Sequence, residues 1–136
     1  MENDIKNRLA DLKLKLVNGD RNVFKEKILD RAPCIITEMK TGLILFASNK
    51  VNHIFGYIYN EIEGLNVKDL MPETYRKRHD DNLKGYSGSP KVRNMGTTGM
   101  PLKGLKKDGT EFDIKISLEP FFEDQTGFVL ATLMEI

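Results

Sequence analysis

Apolar residues recur at two different periods along this chain, and the changes of period divide it into elements. Near the start, Ile5, Leu9, Leu12 and Leu16 stand at steps of four, three and four, with Lys, Arg and Asp between them. That is the stripe of an amphipathic helix. Asn18-Gly19-Asp20 ends it, with Gly19 as a left-handed cap and Asp20 as the start of a second helical piece. This piece, residues 21–30, carries Val23, Phe24, Ile28 and Leu29, and Pro33 closes it. A stripe of this kind needs a cover, either its own domain or a second copy of the chain.

The period then drops to two. Cys34 to Glu38 predicts a strand, Met39-Lys40-Thr41-Gly42 a turn, and Leu43 to Ala47 the returning strand of a hairpin. Ser48 or Asn49 caps a short helix over 50–55 that ends at Gly56, and a further helical turn is expected over 59–63. After a loop at 87–90, an irregular strand begins near Val92 or Met95 and runs to Leu105. Lys106-Lys107-Asp108-Gly109 is a tight turn. Phe112, Ile114, Ile116 and Leu118 alternate with Asp113, Lys115 and Ser117, which predicts a strand with one buried and one wet face. Glu123-Asp124-Gln125 turns the chain again, and the apolar run 127–134 suits the middle of a sheet.

Between the strand groups lies the longest predicted helix, 72–86. Pro72 fits its first turn and Glu73 complements the positive end of its dipole. Tyr75, His79, Leu83 and Tyr86 follow at steps of four, four and three and share one face. His79 therefore points where the large apolar side chains point. Strands at both ends with helices between them give an α+β fold: one antiparallel sheet, helices on one face, and the last strand central beside the first. A cavity between sheet and helices would be lined by Tyr75, His79, Leu83, Tyr86, Met95 and Ile116.

Composition narrows the function. The chain has 136 residues, 40% hydrophobic and 30% charged, which fits one domain. A net charge of +1, with no basic block longer than Arg76-Lys77-Arg78, argues against nucleic acid as partner. No apolar run reaches the ~20 residues of a membrane span. The charged start has no signal-peptide core, so a cytoplasmic location is expected. The single cysteine, Cys34, excludes an internal disulfide and reads as a buried structural thiol. His53, on a short polar helix with Asn49 and Asn52, reads as surface. No phosphate loop, nucleophile–base set or HExxH pattern is present, so the chain is not expected to be an enzyme.

Several stretches together resemble one family. Pro33-Cys34-Ile35-Ile36-Thr37 and Gly42-Leu43-Ile44-Leu45-Phe46-Ala47-Ser48-Asn49 look like its first two strands. Ile54-Phe55-Gly56-Tyr57 with Glu61-Ile62-Glu63-Gly64 looks like its FGY…E signature, and Lys106-Lys107-Asp108-Gly109-Thr110-Glu111-Phe112 like its KDGT hairpin. In their order and spacing they resemble a PAS domain of the S-box sensory type. The resemblance implies a five-stranded antiparallel sheet with short helices and one longer helix on one face, over residues 32–136. It also implies dimerisation through the preceding segment, 1–31, with Ile5, Leu9, Leu12, Leu16 and Phe24 as interface candidates. The function it implies is a signal-transduction module that binds a small ligand or partner and relays to an effector outside this chain. In relatives an exit run begins where this chain has Glu135-Ile136.

Within the family, Leu70-Met71-Pro72-Glu73 through Tyr75, Arg76, Arg78, His79 and Asp80 is similar to the haem-binding oxygen-sensor kinases of two-component signalling. There a histidine at the position of His79 ligates haem iron. The resemblance makes haem the candidate cofactor, with His79 as proximal ligand, Arg93 for a propionate and Met95 near enough in sequence to be a sixth ligand. The family's oxygen-contacting and propionate-pairing arginines are replaced, near Gly99 and at Gly85. The alternative for His79 is a core or pocket histidine hydrogen-bonded to backbone or a tyrosine, in a module with a colourless ligand or with none. Flavin is disfavoured, because the flavin-binding branch carries its cysteine where Asn66-Val67-Lys68 stands here.

Overall fold

Strand β1 (Cys34–Glu38) is buried at each of its five residues, and the sheet is built outward from it. On one side it pairs antiparallel with β2 (Ile44–Ala47), on the other with β6 (Thr126–Glu135). Strand β5 (Glu111–Glu123) pairs along the far edge of β6, and β3 (Arg93–Met95) and β4 (Leu102–Leu105) both pair with β5. The order is β2-β1-β6-β5, with β3 and β4 end to end on the last edge. A computed structural model gives this arrangement and describes residues 7–12, 14, 33–58, 61–74, 76, 93–95, 102–123 and 125–135.

Six strands thus fill the five expected positions. The single irregular strand expected up to Leu105 is two pieces. Met95 lies opposite Ile116 and Leu102 opposite Ile114, so the six residues 96–101 intervene against Lys115 alone. The sequence there carries two glycines and a proline, residue types that disfavour continuous strand pairing. Strand β5 runs five residues past the predicted alternation, to Glu123. Among the described residues β3 pairs no further along that edge than Leu118, which leaves Pro120 clear of it.

Period-two geometry sends alternate residues to opposite faces, and both faces here are covered. The inner face gathers Ile35, Ile44, Ala131 and Leu133 with Val51, Phe55, Ile62 and Leu70. The outer face gathers Cys34, Ile36, Leu45, Phe121, Phe128 and Leu130 with Leu12, and Leu9 packs against them. Helices on one face were expected. The helical residues 7–12 and 14 additionally cover the other. A bulge helps: Ile36 pairs with Phe46 and Thr37 with Ile44, so Leu45 is the extra residue, and it fills the outer core.

Helix α1 (Asn49–Phe55) follows β2. Ser48 stands at its N-cap but makes no capping bond; its hydroxyl accepts the Cys34 N–H at 3.1 Å and so ties the helix start to β1. Gly56 ends the helix with φ +75°, where its N–H reaches the Asn52 carbonyl. The chain then closes the open edge of β2. Leu65 O accepts the Ile44 N–H at 2.8 Å, and Gly42 O accepts the Val67 N–H at 3.0 Å. The connector ends in a 3-10 turn, Val67–Leu70, that the sequence pattern did not predict. Asn66 holds it: its side chain accepts from Lys68 N, its own N–H goes to Asp69, and its amide donates to Thr41 O. The expected turn over 59–63 is described at 61–63 only, where Glu61 N–H bonds to Ile58 O at 3.2 Å. Pro72 is buried and residues 73, 74 and 76 are helical, which begins the long helix as predicted. Residues 77–92 lie outside the described residues.

Candidate functional site

The inner face presents an apolar wall on the side where the long helix begins. Leu102 of β4 and Ile114, Ile116 and Leu118 of β5 pack into its core. Of the predicted pocket residues, Ile116 is therefore half-buried in that wall. Met95 lies opposite Ile116 in register and Arg93 opposite Leu118. Tyr75, His79, Leu83 and Tyr86 lie outside the described residues, as do Ile5, Leu16 and Phe24. Among the described residues no group of three or more His, Cys, Asp and Glu side chains could hold a metal ion.

Beside the wall the two most recognisable stretches of the sequence meet. The Phe55 and Phe112 rings pack edge to face, with centroids 5.2 Å apart and planes at 70°. Gly104 makes room for them: a Cβ there would stand 2.7 Å from two Phe112 ring atoms and 3.2 Å from Phe55. Lys107 donates its backbone N–H to Phe55 O at 2.9 Å. Its ammonium reaches both Glu61 oxygens, at 2.7 and 3.0 Å, and sits 5.8 Å from the Tyr57 ring centre. The Lys107 hydrogen bond holds the Glu61 carboxyl below its usual range. Burial, then the nearby charge of Asp69, pushes the Tyr57 phenol up. The spacing of Tyr57, Glu61 and Lys107 in the sequence is thus a clasp between the β4–β5 hairpin and the start of the connector.

The short polar helix is exposed at His53, as expected, but not throughout. His53 and Asn49 are exposed, but Asn52 is 7% exposed on the sheet-facing side of α1. Among the described residues its side-chain oxygen has no hydrogen-bond partner. Buried acceptors are nearly always satisfied, so this atom marks a local polar requirement inside an apolar layer.

The outer face also carries buried charge, and Glu38 is the most deeply buried of it. Glu38 is 3% exposed, on the same side of β1 as Cys34 and Ile36. Arg8 closes on it with two nitrogens, Nε lying 3.2 Å from Oε1 and Nη2 bonding Oε2. The Thr41 hydroxyl donates to Oε1 at 2.6 Å. A buried carboxylate is tolerated only when paired and hydrogen-bonded, and the two-pronged guanidinium supplies both. Leu9 and Leu12, named as dimer candidates, pack on the chain's own sheet. Sequence reading missed Glu38. The available signal was its place in the alternation Cys34, Ile36, Glu38 on a strand that had to be central.

With this geometry in place, comparison with known proteins is direct. The family model for the PAS domain matches residues 32–136, and the chain belongs to that family. Sensor protein FixL of Bradyrhizobium diazoefficiens is 35% identical over 95 residues, covering 65% of this chain and 18% of FixL. A probable serine/threonine-protein kinase of Dictyostelium discoideum is 29% identical over 102 residues, 75% of this chain and 7% of that protein. The chain thus spans less than a fifth of the length of these two relatives. The solved PAS domain of a Desulfitobacterium hafniense protein superposes with a TM-score of 0.65 at 16% identity, over 85% of this chain and all of that one. The chain is a sensory domain of the kind found in signal-transduction proteins, a class that is generally not catalytic. No helix among the described residues is long and apolar enough to cross a membrane.

Proposed function

We propose that this chain is a cytoplasmic sensory module that takes a small ligand on the inner face of its sheet. It pairs with a second copy through residues 1–31 and relays ligand occupancy to an effector domain or signalling partner. The observation that carries this reading is the two-sided sheet. Ile35, Ala131 and Leu133 enter the inner core, while their neighbours Ile36 and Leu130 enter the outer core under the 7–14 helix. One strand thickness separates the ligand side from the helix side. A ligand that prefers one packing of the inner core therefore biases how the helix sits. A tenfold preference corresponds to about 1.4 kcal/mol, enough to shift a balanced equilibrium.

A second reading is favoured by the 35% identity to FixL and by the resemblance of the long-helix motif to haem-binding sensors. In it His79 is the proximal ligand, Arg93 serves a propionate, and the wall of Leu102, Ile114, Ile116 and Leu118 receives the ring. Bound haem would supply an iron able to exchange a diatomic gas or an electron. One experiment separates the readings: the visible absorption spectrum of the purified protein, alone and with added hemin, beside His79→Ala. A sharp haem band in the wild type that His79→Ala abolishes establishes the second reading. A flat spectrum in both, unchanged by hemin, eliminates it and leaves a colourless ligand.

A further inference from the structure

We infer that Asn52 is the polar contact of the inner-face ligand site, and that its ligand is a small uncharged molecule with an apolar body and one hydroxyl or N–H donor aimed at Asn52 Oδ1. The inference rests on the reading that the inner face takes a small ligand. It adds which side chain selects that ligand and by what chemistry. The inner layer is a single apolar cluster: Val51 and Phe55 of α1 pack into the same core as Leu102, Ile114, Ile116 and Leu118 of the wall. Asn52 shares the buried side of α1 with Val51 and Phe55 and is 7% exposed. Among the described residues its Oδ1 atom has no hydrogen-bond partner.

The groups nearest in sequence are already engaged. The N–H groups of Gly56 and Tyr57, just past the helix end, both go to the Asn52 backbone carbonyl. The Ile58 N–H goes to the Glu61 carboxylate. Ser48, one turn earlier, accepts the Cys34 N–H. A buried water needs several polar partners, and Val51 and Phe55 on either side of Asn52 offer none. A buried acceptor left open in an apolar layer is costly, and leucine would fill the place without that cost. A donor brought in by a ligand removes the cost only while the ligand is bound. An ion entering this layer would have to be paired to be tolerated, so the fitting donor is neutral. Oδ1 thereby acts as a selector: a ligand of the right shape without a donor leaves it open, and one with a donor closes it.

The test uses two probes of the same shape, phenol and toluene, which differ by a hydroxyl in place of a methyl group. Each is titrated into the full-length protein at neutral pH, and binding is followed by the chemical shifts of the Leu102, Ile114 and Ile116 methyl groups. The wild type is expected to favour phenol, with a ratio of the toluene Kd to the phenol Kd at least ~10-fold larger than in Asn52→Leu. In Asn52→Leu toluene should bind the tighter, because phenol must then bury its hydroxyl without a partner. Circular dichroism checks that the variant folds. Should it not, Asn52→Ala takes its place; both probes gain the same space there, so the ratio remains the readout. A ratio that is the same in wild type and variant overturns the inference while leaving the ligand site standing. Methyl groups that respond to neither probe in any of these proteins overturn the ligand reading together with it.

Discussion

Arg8→Ala and Glu38→Gln break the same ion pair, yet their costs should differ. The Glu38 side chain is 4% exposed and that of Arg8 54%. Arg8→Ala leaves a carboxylate beneath the helix with the Thr41 hydroxyl still donating to it. An uncompensated buried charge costs about 3–5 kcal/mol. Glu38→Gln leaves a guanidinium that can turn into water or keep the amide carbonyl as a partner, a loss of about 1 kcal/mol. The first cost has a ceiling, because the helix can lift and let water reach Glu38. Lifting exposes Leu12, which is 5% exposed, and half-buried Leu9, at about 2–4 kcal/mol together. The ceiling and the buried-charge cost are close, so Arg8→Ala should lose about 3 kcal/mol, mostly by helix detachment. Urea unfolding at one fixed protein concentration gives the totals. Amide hydrogen exchange locates them. Residues 7–12 should exchange much faster in Arg8→Ala while β1 and β6 hold their protection, and Glu38→Gln should leave both near wild type. Equal losses, or a larger loss in Glu38→Gln, would refute the claim that the buried partner is the carboxylate.

Gly104→Ala should destabilise by about 1–2 kcal/mol, the overpacking cost less the gain from a stiffer unfolded chain. Adding Phe112→Leu should return part of it, and a melting temperature at or above wild type in the single variant would sink this reading. Asn52→Leu should be neutral or stabilising by about 1 kcal/mol, since it removes an unsatisfied buried acceptor; a clear loss in urea unfolding would mean that the oxygen has a partner in solution. The Lys107–Glu61 clasp makes a pH prediction. Because the folded state lowers the Glu61 pKa from 4.5, its contribution is present above pH 4.5 and fades as pH falls through the lower folded value. Lys107→Ala should flatten that part of the acid-stability profile, and an unchanged profile would count against the clasp.

How much of this was legible depended on what each element's neighbours decide. Strands β5 and β6 could be read from period alone, because alternation in one and a continuous apolar run in the other encode wet and buried faces. The Phe55-Gly56-Tyr57…Glu61 and Lys106-Lys107-Asp108-Gly109 stretches could be recognised as a resemblance, but their cause is a contact between residues 46 positions apart. Helix α1 has seven residues, too few for its own pattern to fix which side meets the sheet, so Asn52 reads like its exposed neighbour His53. The division into β3 and β4 was hinted at by Gly96, Gly99 and Pro101, but only pairing with β5 sets where each piece begins. Glu38 needed two facts at once: that β1 is central, and that a helix thirty residues earlier offers Arg8. The wall around Ile116 follows from alternation, whereas the residues of the long helix beyond Arg76 rest on their sequence pattern.

The split edge of the sheet bears on how such a chain can change its length. Strands β3 and β4, three and four residues long, are each pinned to β5 by their own register, so neither depends on the other for alignment. Residues inserted into or deleted from 96–101 would leave the pairing on both flanks as it stands. Over the described residues, neither piece is long enough to serve as a template for a strand from another molecule. Sequence grafted between the two registers, such as a reporter peptide, is therefore expected to leave both pairings in place.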